Sequence, residues 1–322
     1  MREDLLSELD REYEQRRFAN EQTEMDRRKT IQTRFPEIEQ LVLQRENLIH
    51  GTIREMLAGN ANGQDLPERM QEVNQKIREA LCRAGLPEDY LSPVYTCPIC
   101  RDTGYVGEPV REPCSCLKEA YSRKLRESIG LTGDRKESFE HFDEQLIPDS
   151  VLPDIGITQR KLAIMARDAC ARWAEAWPDA GYRDVLINGE SGLGKTFLIR
   201  AMADRLISRG KQVLVISAYQ FVQLARKSFF ESDDSMDELM NVPVLMIDDL
   251  GSEPMMKSIT VEQMFNLLNE RQESGRSTVI STNLTLKELR ERYTERIVSR
   301  LNNPHTCLMI TLAGQDLRTI ER

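Results

Sequence analysis

The sequence predicts an α/β fold, a parallel sheet covered by helices on both faces, standing behind a helical front region. Three observations predict it. From Val185 onward, β-rich runs at 185–188, 213–217, 244–248, 278–282 and 307–312 alternate with helical stretches, the pattern of a parallel sheet. The first run leads into Gly189-x-x-x-x-Gly194-Lys195-Thr196 and then an apolar helix start at Phe197 and Leu198. The third ends in the pair Asp248-Asp249. Ligands of such sheets bind at the carboxyl ends of strands, which is where both motifs fall.

The front of the chain is helical. Residues 1 to about 57 are rich in Glu, Arg, Gln and Leu, with a sparse apolar stripe (Leu5, Leu9, Tyr13) and a denser one (Ile38, Leu41, Val42, Leu48, Ile49). Pro36 is placed to open a second helix just after Phe35. A loop is expected at 59–63, then a third helix from Asp65 or Pro67 to about Arg83, ended by Gly85. Such a region is either a solvated helical hairpin or a partner-docking element.

Residues 93–116 break the helical pattern. Cys97-x-x-Cys100 and Cys114-x-Cys116 are two short chelating turns joined by a Gly- and Pro-containing loop. Four thiolates can close a tetrahedral zinc site and hold together a segment with little core of its own. A redox CxxC would require a thioredoxin-like βαβ setting, and none surrounds this loop. His141 is a distant substitute ligand. Cys82, Cys170 and Cys307 stand alone and read as small buried or half-buried hydrophobes.

A basic connecting helix is expected over 117–129, then a linker containing Gly130, Gly133, Pro148, Pro153 and Gly156. The amphipathic helix 157–177 follows, with Leu162, Met165, Ala166, Ala169, Trp173 and Trp177 on its core side. The expected division is 1–92 helical and partner-docking, 93–130 zinc module with its helix, 131–156 linker, and 157–322 ATPase domain. The acidic balance, 44 Lys and Arg against 53 Asp and Glu for a net charge of -9, argues against a general duplex-DNA coat. An acidic start without a signal peptide, and no apolar run near the ~20 residues of a membrane span, place the protein in the cytoplasm as an expectation.

The chemistry reads from the loop outward. Gly189, Gly192 and Gly194 allow a tight turn that brings bare amides of Glu190, Ser191, Leu193 and Phe197 toward phosphate oxygens, at a helix N-terminus of partial positive charge. Lys195 can reach the β/γ phosphates of ATP, and the Thr196 hydroxyl can hold Mg²⁺. Asp248 is assigned to the metal and Asp249 to the attacking water. Asn283, after the next strand, is a polar group for water or the γ-phosphate. Arg296 and Arg300 lie four apart on one helix face, where either can serve a neighbouring subunit. The stretch 219–230 interleaves aromatic and basic residues as single-strand binders do, with Lys227 and Phe229 chosen as DNA contacts and Phe221 as core.

In this order GESGLGKT, VLMIDDLG, STNLTLKEL and ERIVSRL resemble the AAA+ helicase-loader ATPases of the DnaC/DnaI type and the related IstB transposition helpers. FPEIEQL and CPICRDTGYVGEPVREPCSCLK are similar to the front half of loaders from Gram-positive bacteria and their mobile elements. The resemblance implies an AAA+ P-loop ATPase that loads a hexameric, DnaB-type replicative helicase onto single-stranded DNA, self-associating through its ATPase domains, with the zinc-bearing front docking the helicase. It makes Asn283 sensor 1 and Arg300 the arginine finger, with Arg296 supporting or substituting. The cysteine-bearing front favours a loader over a transposition helper acting on duplex DNA; an ATP-gated adaptor with little turnover is a third reading. Two departures stand out. The second acid is Asp249 where many AAA+ enzymes have Glu, which implies slow hydrolysis. Only ten residues follow the last strand, too few for a full lid domain, leaving Arg318 as the one candidate for a sensor 2.

Overall fold

The computed structural model describes residues 2–57, 66–128, 131, 137–231 and 235–319. The loop expected at 59–63 and the linker positions Gly130 and Gly133 lie outside them. The chain forms two compact units, Arg2–Lys118 and Glu119–Arg322.

The first unit begins with a single long helix, α1 (Arg2–Arg34), followed by α2 (Pro36–Leu57) and α3 (Leu66–Arg83). Pro36 opens α2, because its missing amide is one that the first turn leaves unpaired in any case. Val73, Ile77, Ala80 and Leu81 recur at helical spacing on α3 and pack with Ile31, Ile38 and Val42 into a small core. The antiparallel ribbon β1 (Tyr105–Val106) and β2 (Glu112–Pro113) carries the cysteine loop into α4 (Ser115–Ser128). Cys82 is exposed, so the expectation of a buried hydrophobe fails there, whereas Cys170 and Cys307 are buried.

The second unit is built on a five-stranded parallel sheet. Its elements are α5 (Gln159–Ala176), β3 (Asp184–Asn188), α6 (Lys195–Ser208), β4 (Val213–Ser217), α7 (Ala218–Glu231) and α8 (Ser235–Asn241). There follow β5 (Val244–Leu250), α9 (Lys257–Glu273), β6 (Ser277–Thr282), α10 (Leu286–Tyr293), α11 (Glu295–Leu301) and β7 (Cys307–Thr311). The strand order is β4-β5-β6-β3-β7, every pair parallel. The strand that feeds the glycine loop is therefore interior, between β6 and β7, and Val185, Leu186 and Ile187 are buried as a strand covered on both faces requires.

Arg271 is fully buried and donates to the Leu239 carbonyl (2.6 Å), the Val242 carbonyl (2.8 Å) and Thr278 Oγ1 (3.0 Å), tying α9 to α8, to the α8–β5 connection and to β6. Burial pushes its pKa down to about 9, which leaves it charged at neutral pH. On α5 the core stripe is Ala163, Ala166, Cys170, Trp173 and Ala174; Met165 is on the exposed side, one position off the expected stripe.

Residues 137–156 are not a free linker. Two 3-10 turns, Phe139–His141 and Glu144–Leu146, bury Phe139 and Ile147. Glu137 is paired with Arg200 of α6 at 2.6 Å, and Glu140 is paired with Arg205. Pro148, Pro153 and Gly156 signal irregular backbone, and irregular backbone is here part of the packed unit.

Candidate nucleotide-binding site and cysteine centre

The glycine loop joins β3 to α6, and its three glycines are needed for different reasons. Gly189 has φ 152° and a Cβ there would meet the Leu312 carbonyl oxygen at 2.4 Å; Gly192 has φ 79° and a Cβ would run into the Asp316 carboxylate. Gly194 caps α6 in the left-handed region, φ 89°. Lys195 is buried and donates to the carbonyls of Gly189 and Glu190, both at 2.7 Å. Burial lowers its pKa, with Asp249 and then Asp248 opposing the shift. Its ammonium is thus held by the carbonyls of the glycine loop.

β5 delivers the two carboxylates to the same place. Asp248 accepts from Thr196 Oγ1 at 2.9 Å and from Ser281 Oγ at 2.5 Å, so the hydroxyl after the loop lysine and the strand-end acid are in direct contact. The ladder between β5 and β6 slips between Ile247 and Leu250. In that slip Asp249 takes φ 60° and its amide donates to Ser281 Oγ at 2.8 Å. Ser281 therefore holds both acids, a role the sequence reading did not assign. Asn283 is exposed just past the end of β6, beside Gly251. The side-chain oxygen of Asn188, the last residue of β3, is buried without a hydrogen-bond partner. This is an acceptor left open at the strand ends.

An apolar cavity of about 200 Å³ adjoins the loop, lined by Phe142, Ile147, Leu193, Phe197, Leu312 and Leu317 among others. Phe142 and Phe197 face each other with ring centroids 5.8 Å apart, and Arg167 lies 5.1 Å over the Phe142 ring. A cavity of this kind beside a glycine loop suits a planar base. The sequence reading missed Phe142 and Ile147 because it assigned them to the linker. Past β7 the chain returns over the loop: the Leu317 amide donates to the Gly192 carbonyl at 3.1 Å, and Arg318 donates to Ser191 Oγ at 2.8 Å while paired with Asp316 at 2.9 Å. Arg318 therefore touches the phosphate loop.

The other predicted residues fall elsewhere in this unit. Arg296 is exposed. Arg300 is held within its own subunit, its guanidinium 4.4 Å from the Phe265 ring centroid and Nη2 donating to Asn269 Oδ1 at 2.7 Å. This counts against Arg300 as the reaching arginine, because α9 already satisfies it. On α7, Phe221 is fully buried, whereas Tyr219, Arg226, Lys227, Phe229 and Phe230 are exposed. Tyr219, Arg226 and Phe230 recur at helical spacing on one stripe. The Phe229 and Phe230 rings meet edge to face at 5.2 Å.

In the first unit, the Sγ atoms of Cys97, Cys100, Cys114 and Cys116 all lie within 4.8 Å of one another. Cys97 and Cys114 are 3.9 Å apart and Cys100 and Cys116 3.5 Å. With zinc–sulfur bonds of about 2.3 Å, a tetrahedral site needs sulfur separations of about 3.8 Å, so the four thiols fit such an ion. The Cys97 thiol is pushed down chiefly by a backbone hydrogen bond from Cys100, while burial pushes Cys100 and Cys116 up. A dication would displace the protons the buried thiols retain. His141 belongs to the other unit and has Ser138 as its hydrogen-bond partner.

The interior P-loop strand, the strand-end acid touching the loop threonine and the strand order define an AAA+ P-loop fold. Comparison with known proteins narrows the class. Residues 158–307 match the bacterial DnaA ATPase domain family. The replicative helicase loader DnaI of Bacillus subtilis is 28% identical over 259 residues, covering 72% of this chain and 78% of its own length. That span is longer than the ATPase unit and so reaches into the first unit. DnaC of Escherichia coli K12, also named a replicative helicase loader, is 28% identical over 129 residues, 38% of this chain and 51% of DnaC. The replication initiator DnaA of Magnetococcus marinus is 32% identical over 178 residues, 54% of this chain and 38% of its own. This chain thus spans about half the length of DnaC and less of DnaA. Among solved structures, the crystal structure of DnaI aligns at a TM-score of 0.44 and 22% identity, covering 60% of this chain and 93% of its own. The chain is thus similar to the replicative helicase loaders DnaI and DnaC. Among the described residues, no helix is long and apolar enough to cross a membrane.

Proposed function

We propose that this protein is an ATP-dependent loader of a hexameric, DnaB-type replicative helicase onto single-stranded DNA. The observation that carries the reading is the contact of Thr196 with Asp248 beside buried Lys195, within a chain whose most extensive match above is a helicase loader. Gly189–Phe197 bind the phosphates of ATP, and Lys195 leaves the loop carbonyls to meet them. Thr196 and Asp248 hold Mg²⁺, which neutralises phosphate charge when bound. Asp249, fixed by Ser281, orients the attacking water, and Asn283 senses the γ-phosphate. The cavity around Phe142 and Phe197 takes the adenine.

Self-association completes the site, and Arg296 is the better-placed arginine because Arg300 is engaged by Phe265 and Asn269. Single-stranded DNA meets α7, where the stripe Tyr219, Arg226 and Phe230 joins the earlier choices Lys227 and Phe229. The front unit holds Zn²⁺ through Cys97, Cys100, Cys114 and Cys116 and docks the helicase. The loading test retains a DnaB-type helicase on circular single-stranded DNA. Helicase should be retained only with this protein and ATP. Retention equal without it, or no capture of helicase by the full chain, would sink the loader reading.

A further inference from the structure

Helix α1 has few apolar residues, yet one of its faces is consumed residue by residue by the cysteine module. Tyr13 is buried and its hydroxyl donates to Cys116 Sγ at 3.1 Å, while its ring packs on Gly104. One turn on, Arg17 donates to the Asp102 carbonyl at 3.0 Å. Asn20 then donates to Asp102 Oδ2 at 2.8 Å. Glu24 accepts the Val94 amide at 2.7 Å, and Arg27 lies 5.3 Å over the Tyr90 ring. Positions 13, 17, 20, 24 and 27 are one stripe of an α-helix.

Asp102 is the hinge of this arrangement. It is 1% exposed, has φ 58°, and its two oxygens accept the amides of Cys97 (2.8 Å) and Thr96 (2.8 Å). The residue that shapes the first chelating turn is therefore the residue that Arg17 and Asn20 hold from α1. Tyr13 meanwhile reaches a ligand sulfur of the second turn. A hydrogen bond to a ligating sulfur is an outer-shell contact, and such contacts orient ligands and tune affinity.

We propose that α1 is a metal-coupled arm. Tyr13 positions the Cys116 thiolate, and Arg17 and Asn20 position the Cys97–Cys100 turn through Asp102, so docking of α1 and binding of metal reinforce each other. Because folding and metal binding share one free energy, metal removal loosens the helix and loosening the helix weakens the metal. The proposal rests on the reading of the four cysteines as a zinc site.

The test uses the full chain, with zinc affinity read by competition against a chromophoric chelator and the thiolate-to-metal absorption read with Co²⁺. Tyr13→Phe and Asn20→Ala should each weaken zinc about 10-fold or more. Tyr13→Phe should also move the Co²⁺ charge-transfer band, which Asn20→Ala leaves in place. Chelation of the wild type should accelerate amide exchange over α1 and leave the ATPase unit unchanged. Wild-type affinity and band in both variants, or α1 protection indifferent to chelation, would overturn the coupling while the zinc site stands. A wild-type chain that takes up neither ion would remove the zinc site and this proposal together.

Discussion

The hydroxyl of Tyr293, at the end of α10, donates to Glu253 Oε1 in the protein interior, where Tyr293 is 0% and Glu253 2% exposed. The other Glu253 oxygen accepts the Gly251 amide at 2.8 Å, and Arg292 reaches the same carboxylate at 3.5 Å. One buried carboxylate thus joins the loop that follows Asp248 and Asp249 to the helix pair that carries Arg296. Burial, followed by the Glu253 contact, raises the Tyr293 pKa far above its usual range, so the phenol stays a donor throughout the working pH range.

Removing that donor leaves the acceptor buried and short of a partner. Tyr293→Phe should lower stability by about 1–3 kcal/mol in chemical denaturation. Glu253→Gln should cost no less, because an amide must present an N–H where Tyr293 and Gly251 both donate. A denaturation midpoint within error of wild type for both variants would show the network to be inconsequential.

The two strand-end acids should separate binding from turnover. Asp249 takes φ 60°, a conformation Asn tolerates, so Asp249→Asn keeps the backbone. It should bind ATP with near wild-type affinity and lose hydrolysis by on the order of 100-fold. Lys195→Ala should instead lose ATP affinity, read by fluorescent-nucleotide titration. Equal loss of binding in both variants would remove the assignment of Asp249 to the water.

Much of the ATPase unit was legible because its signals are local and strong. Each strand from β3 to β7 is a short run rich in β-branched or apolar residues, and the observed limits lie within two residues of those runs. The strand–loop–helix around Gly189–Thr196 and the position of Asp248 near the end of β5 were legible from spacing alone. Ser281 was not, because a serine inside a buried strand carries no sign that it will meet the Asp248 carboxylate and the Asp249 amide across a register slip. Phe142 and Ile147 were hidden by neighbouring Pro and Gly, which mark irregular backbone without saying whether it packs. α1 was legible as a helix, but its docking face is polar, and hydrophobic periodicity is blind to a stripe made of Arg17, Asn20, Glu24 and Arg27. The packing of Arg300 on Phe265 is a tertiary fact between two helices that sequence spacing within either one does not contain.

The cavity beside the loop predicts base selectivity. Phe142 and Leu317 reach it from opposite ends of the ATPase unit's sequence, so both must be present for it to close. Phe142→Ala should weaken ATP about 10-fold or more and narrow discrimination against GTP, in line with the 1–3 kcal/mol carried by apolar pocket contacts. Leu317→Ala should do so more mildly. Phosphate contacts are untouched in both, so competition by inorganic triphosphate should not change. Unaltered ATP affinity in Phe142→Ala would place the base elsewhere.

The two arginines of α11 differ in what already holds them, and this yields the sharpest separation. Arg300 is stacked on Phe265 and bonded to Asn269, so Arg300→Ala should cost stability, by about 1–2 kcal/mol for the cation–π contact and hydrogen bond together. Arg296 is exposed at the start of α11, and Arg296→Ala should leave the denaturation midpoint within about 0.5 kcal/mol of wild type. If Arg296 acts on a neighbour, its loss should abolish hydrolysis while nucleotide binding persists. Mixing Arg296→Ala with Lys195→Ala should then restore turnover, because the first chain supplies an intact loop and the second an intact arginine. Full hydrolysis in Arg296→Ala alone, or no restoration on mixing with both chains folded, would return the role to Arg300 or exclude a shared site.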